Sequence, residues 1–92
     1  VLEINSNKVE ADFYMGISYM EIDQHEDASK SFTRVIDHND NLYIQKAEWY
    51  LAGCLLAMDE TDRARRQLAM IASSSNHFYK DDAAKILKRM KR

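Results

Sequence analysis

Proline is absent from the 92 residues, and glycine occurs only at Gly16 and Gly53. Both residues punctuate turns and strands, so their scarcity excludes a turn-rich β fold and favours helices joined by polar linkers. A single cysteine, Cys54, excludes an internal disulfide and cannot build a metal site alone. No stretch approaches the ~20 apolar residues of a membrane span. The longest apolar run, Trp49 to Met58, covers about half that length. Nor does one sign of charge dominate. The formal net charge of −2 argues against a nucleic-acid binder or a membrane-surface protein. The chain starts at Val1 with no signal-like segment, which predicts a piece of a longer protein.

What is present is helical. The apolar fraction of 46% and charged fraction of 30% are those of a globular domain. Ninety-two residues make one core, burying roughly 60–65% of the unfolded surface. Apolar residues recur at three- and four-residue steps in five stretches, which predicts five helices and no strands. The inward sets are Ala11, Met15, Tyr19 and Ile22; Ala28, Phe32, Val35 and Ile36; Ala47, Leu51, Leu55 and Met58; Ala64, Leu68, Ile71 and Ala72; and Ala83, Leu87 and Met90. Asp23 and Asp59 interrupt the pattern, either capping the next helix or accepting a left-handed backbone. Glu26, three residues after Asp23, has capping-box spacing. The segments 37–41 and 73–76 are polar and turn-prone.

Shifting the sequence by 36 positions superimposes it on itself. Ala11 falls on Ala47 and Ala83, Met15 on Leu51 and Leu87, and Gly16 on Ala52. Ile22 meets Met58, Asp23 meets Asp59, Ala28 meets Ala64, Phe32 meets Leu68, Val35 meets Ile71 and Tyr43 meets Tyr79. Agreement at nearly every inward position in one register indicates a repeated structural unit.

Within a unit the order Met15-Gly16-x-x-Tyr19, then Ala28 and Phe32 four residues on, resembles the tetratricopeptide-repeat (TPR) pattern W-x2-L-G-x2-Y…A-x3-F…P. Leu51-Ala52-x-x-Leu55, Ala64 and Leu68 repeat it in conservative form. The resemblance implies an all-α, right-handed superhelical solenoid of two antiparallel helix hairpins and a C-terminal capping helix. Its units are residues 8–37, 43–72 and 77–92. The pattern departs from the family at three points. Asp12 and Glu48 hold the tryptophan position, with aromatics one residue later at Phe13 and Trp49. Aspartate replaces the turn glycine, and the closing proline is absent. The overall flavour is similar to C-terminal TPR blocks of bacterial proteins.

The resemblance also implies a function. TPR arrays bind partners on the concave face lined by the first helix of each pair. In this register that face carries Glu10, Phe13, Ile17 and Met20, then Lys46, Trp49, Gly53 and Leu56, then Asp82, Lys85 and Arg89. It is expected to form an apolar groove for a partner peptide or helix, or for a second copy of the chain, anchored on Phe13 and Trp49. A full carboxylate clamp is not expected, since only Lys85 and Arg89 suit one. The alternative is a structural spacer within a larger membrane-anchored regulator or enzyme, in which a helix outside this sequence covers the groove.

No catalysis, metal or cofactor is expected. His25, His38 and His77 are far apart in sequence and read as exposed turn histidines. Cys54 reads as packing in an apolar helix. The basic end Lys85, Lys88, Arg89, Lys91 and Arg92 complements a helix C-terminus, so neither nucleic acid nor direct membrane insertion is expected. The compartment, cytoplasmic or periplasmic, is not legible.

Overall fold

Two aspartates set the architecture. Asp23 and Asp59 have φ of 62° and 60°, the left-handed region that non-glycine residues seldom enter and that aspartate tolerates best after asparagine and glycine. Each ends a helix in the same way. Gln24 N–H donates to the Tyr19 carbonyl and Asp23 N–H to that of Met20; Glu60 and Asp59 do the same to Leu55 and Leu56. This is a Schellman closure, which satisfies the last carbonyls and reverses the chain. The expected capping box at Asp23 does not form. Gln24 occupies the N-cap and makes no side-chain cap bond, because Asp23 is already spent on ending the helix before.

The computed structural model describes residues 2–38 and 42–90, with side chains from residue 8 onward. Residues 39–41 of the polar linker, and Lys91 and Arg92 of the basic end, lie outside the described residues. Among the described residues there are five helices and no strand: α1 (Leu2–Glu21), α2 (His25–Asp37), α3 (Ile44–Ala57), α4 (Thr61–Ser73) and α5 (Lys80–Met90). The all-helical expectation therefore holds, with α1 starting earlier than Lys8. Each helix packs substantially on its sequence neighbours, α1 on α2, α2 on α3, α3 on α4 and α4 on α5. That is the contact pattern of a helical solenoid, and α3 is covered from both sides. Its apolar character all round comes from that double cover. No helix of the described residues is long and apolar enough to cross a membrane.

Most of the inward sets are buried as their spacing requires. Ala28, Phe32, Val35, Ala47, Ala64, Leu68, Ile71 and Ala83 are fully enclosed. The first helix departs from expectation. Its buried residues are Val9, Asp12, Phe13 and Gly16, whereas Ala11 is exposed, Met15 is 43% exposed and Ile22 61%. The cause is position in the array. Ala47 and Leu51, one repeat on, are buried because α2 lies against them; Ala11 and Met15 have no helix on that side among the described residues.

Gly16 fixes the closest approach. A Cβ there would lie 2.7 Å from Cε1 of Phe32, so α1 meets the Phe32 ring only because position 16 has no side chain. In the second unit the same pair is Ala52 and Leu68, a smaller side chain where a larger backbone partner needs room.

Candidate partner-binding groove

The first helices of the repeats, α1, α3 and α5, converge on an apolar cavity of about 220 Å3. It is lined by Met20 from α1, Trp49, Tyr50, Ala52, Gly53 and Leu56 from α3, Leu68 from α4 and Ile86 from α5. At roughly 30 Å3 per water in the liquid, this volume holds one large apolar side chain. Its floor is solid because Leu68 and Ala52 belong to the core around Ile71 and Ala83.

One wall is held by a polar clasp. Trp49 stacks face to face on Tyr79, with centroids 4.9 Å apart and planes within 1°. Tyr79 is fixed in turn by the linker that brings it there. Its backbone N–H donates to Nδ1 of His77 at 3.1 Å, so the neutral ring carries its proton on Nε2, 2.9 Å from the Glu48 carboxylate. Gln45, one turn before Glu48, accepts from Phe78 N–H at 2.9 Å. Gln67 of α4 donates to the Glu48 carbonyl at 3.2 Å. The polar edge of α3 thus holds the α4–α5 linker, and the linker holds the wall. Burial also pushes the Tyr79 hydroxyl above its ordinary pKa, with the neighbouring Tyr50 and the Asp82 carboxylate adding to the shift.

Comparison with known families matches this geometry to a description. The family model described as Tetratricopeptide repeat matches residues 10–41, which take in the C-terminal part of α1 and all of α2. The remaining helices continue the same stacking on sequence neighbours. The match and the five-helix stack together support a TPR-type repeat protein. No curated protein and no solved structure matches the chain. TPR units generally mediate protein–protein contacts and are typically non-catalytic.

The TPR register locates the expected groove residues, and they divide. Met20, Trp49, Gly53 and Leu56 line the cavity together. Ile17 is half-buried against the first core cluster. Phe13 is only 4% exposed and lies among Phe32, Tyr43 and Tyr50, with centroids 6.0, 4.8 and 6.1 Å away. It is core, and its expected role as a groove anchor is corrected. The Tyr43 ring closes over it, where its counterpart Tyr79 stacks beside Trp49 and leaves that indole half-exposed. Glu10 is exposed and accepts a hydrogen bond from the Tyr43 hydroxyl, whose pKa rises through desolvation first and then the Glu10 carboxylate. Lys46, Lys85 and Arg89 are exposed, and no ion pair engages them among the described residues.

Spacing alone did not find the rest of the lining, Tyr50, Ala52, Leu68 and Ile86. The signal available was the match of Tyr43 with Tyr79, which marks the linker as part of the repeat. His77 also departs from expectation. It is 8% exposed rather than a solvated turn residue. The carboxylates at the TPR tryptophan position prove to be pinning groups. Glu48 takes His77, while Asp12 accepts from Arg34 Nε at 3.1 Å and Arg34 donates again to Ser31 at 3.0 Å. Among the described residues, no three histidine, cysteine or acidic side chains converge as metal ligands.

Proposed function

We propose that this TPR protein is a non-catalytic interaction module whose groove accepts an apolar side chain from a partner protein or peptide. Gly53 carries the reading. Glycine inside a helix costs about 0.5–1 kcal/mol relative to alanine. A Cβ at Gly53 would meet nothing within 4 Å, so no packing contact requires its absence. What the glycine does is keep the cavity open between Trp49 and Leu56. Stability given up mid-helix for an open apolar cavity is what a binding site requires. Trp49 forms the anchor wall and Met20, Leu56 and Ile86 complete the pocket, while Lys46, Lys85 and Arg89 are exposed cations on the same helices, α3 and α5. The reading calls for no cofactor and no nucleic acid.

A random-peptide library selected on the protein tests this. Selected peptides should carry a leucine-, methionine- or phenylalanine-sized anchor and shift the emission of Trp49, the one tryptophan. Gly53→Leu should fill the cavity and abolish binding without lowering stability. Trp49→Ala should weaken binding by about 2 kcal/mol or more, roughly 30-fold. Peptides that bind Gly53→Leu as tightly as the parent refute the groove. The competing reading, a spacer within a larger membrane-anchored regulator or enzyme, draws on the double cover of α3, which leaves that helix no need of a partner. It predicts that selection yields nothing dependent on Trp49. Self-association through the same groove would appear as concentration-dependent mass in sedimentation, abolished by Gly53→Leu.

A further inference from the structure

The groove wall is held through a buried histidine, and both nitrogens of its ring are committed. His77 Nε2 lies 2.9 Å from the Glu48 carboxylate of α3, and Nδ1 accepts the Tyr79 N–H at 3.1 Å. A neutral imidazole offers one donor and one acceptor, so it serves both partners only with its proton on Nε2. An imidazolium offers two donors and no acceptor. A proton taken up at Nδ1 therefore faces the Tyr79 N–H donor to donor, and that contact cannot persist as a hydrogen bond.

The surroundings of the ring decide which side gives way. From α3, Glu48 is the one carboxylate within ion-pair distance of His77 among the described residues, while Lys46 is exposed. The Glu48 bond to an imidazolium becomes charge-assisted and therefore stronger. From α4, the neutral Gln67 bonds this edge through the Glu48 carbonyl, and Arg63, Arg65 and Arg66 are exposed. From α5, Lys80, Asp81 and Asp82 are exposed, and Asp82 acts on the Tyr79 hydroxyl. The backbone of His77 is fixed as well, its N–H donating to Ser74 and its carbonyl accepting from Lys80 N–H. A charged ring thus stays on α3, and the Tyr79 N–H is the group that must turn away. That residue carries the ring stacked on Trp49.

We propose that His77 is a proton switch on the groove: neutral His77 holds Tyr79 against Trp49, and protonated His77 releases it and weakens partner binding. The effect on affinity rests on the groove being a binding site, whereas the coupling of His77 to Trp49 does not. Histidine is the side chain whose charge ordinarily changes between about pH 5 and 8, so the switch needs no other effector. The two positions of the switch differ in one hydrogen bond, that of the Tyr79 N–H, and in the stack that this bond supports.

Nuclear magnetic resonance and Trp49 emission follow the free protein from about pH 8 to about pH 5, with far-UV circular dichroism recording helix content. The His77 ring, the Tyr79 amide and the Trp49 indole should respond with one midpoint while helix content stays constant. His77→Asn, which takes up no proton in this range, should abolish the response of Tyr79 and Trp49. The double variant His25→Asn/His38→Asn should keep it. A histidine-free peptide selected on the groove at about pH 8 should bind the parent about fivefold or more weakly at the low end, and His77→Asn equally at both ends. Three results would overturn the switch: a Tyr79 amide or Trp49 indole that stays still while His77 titrates, a His77 that takes up no proton before the helices unfold, or a response that survives in His77→Asn. If no peptide binds even at about pH 8, the groove reading fails and the effect on affinity with it, while the resonances still decide the coupling.

Discussion

Gly16 and Phe32 make a quantitative test of the packing between α1 and α2. In Gly16→Ala the new methyl would lie 2.7, 2.8 and 3.0 Å from three ring carbons of Phe32, where ordinary contact begins near 3.4 Å. The ring has no room to retreat. It is fully buried, with Phe13 at 6.0 Å and Tyr50 at 5.5 Å between centroids. Overpacking of this kind costs about 1–3 kcal/mol. Alanine returns about 0.5–1 kcal/mol through helix propensity. The net is a loss of up to about 2.5 kcal/mol, and each kcal/mol lost lowers the melting temperature of a domain of this size by about 4–8 °C. Gly53→Ala supplies the internal reference, since its methyl enters open space and only the propensity gain remains. The two alanines should move stability in opposite directions. The double variant Gly16→Ala/Phe32→Leu installs the pair that the second unit uses at Ala52 and Leu68, so it should be more stable than the sum of the single changes by about 0.5–3 kcal/mol of coupling. Chemical denaturation followed by circular dichroism measures the parent, the three single variants, Phe32→Leu included, and the double variant. If Gly16→Ala stabilises as Gly53→Ala does, α1 does not approach Phe32 as described and the register between them is wrong.

His77→Ala should cost about 1–3 kcal/mol by leaving Glu48 and the Tyr79 N–H without their partner, and should shift Trp49 emission as the Tyr79 stack loosens; His77→Asn should recover part of the loss, and unchanged emission in His77→Ala would show that the clasp does not set the groove wall. Cys54 is fully buried and desolvation pushes its thiol up to about 11, from an ordinary 9.0, so a thiol reagent should label it only after unfolding. Because the folded pKa is the higher one, the contribution to stability is intact below pH 9.0 and declines as pH rises toward about 11. Labelling of the native protein at mild pH as fast as of the unfolded chain would contradict the burial of α3.

The helices and their repeat were legible because packing demands a period, and each of α2, α3 and α4 has the neighbours its period anticipates. Ala28, Phe32 and Leu68 could be placed from spacing alone. The face of α1 could not. Ala11 and Met15 look like Ala47 and Leu51 in sequence, and burial depends on whether another helix lies beside them. The groove was half legible for the same reason. Trp49 and Leu56 follow from the register, but Phe13 shares that register and is core, because the Tyr43 ring covers it. The His77–Glu48 bond joins residues 29 apart with no periodic relation, so no local pattern announces it. Asp23 offered two roles, and the backbone dihedral chose between them.

The main helix contacts, each between sequence neighbours, also govern how the molecule comes apart. With the main contacts running between successive helices, opening is local rather than all-or-none, and folding needs no slow search for distant partners. α3, enclosed between α2 and α4, belongs to both halves of the stack, so its amides should exchange with solvent last. Those of α1 and α5 should exchange first, peeling from the two ends. Pulled by its ends, such an array pays out length in helix-sized steps under low force, like a spring, instead of snapping at one barrier.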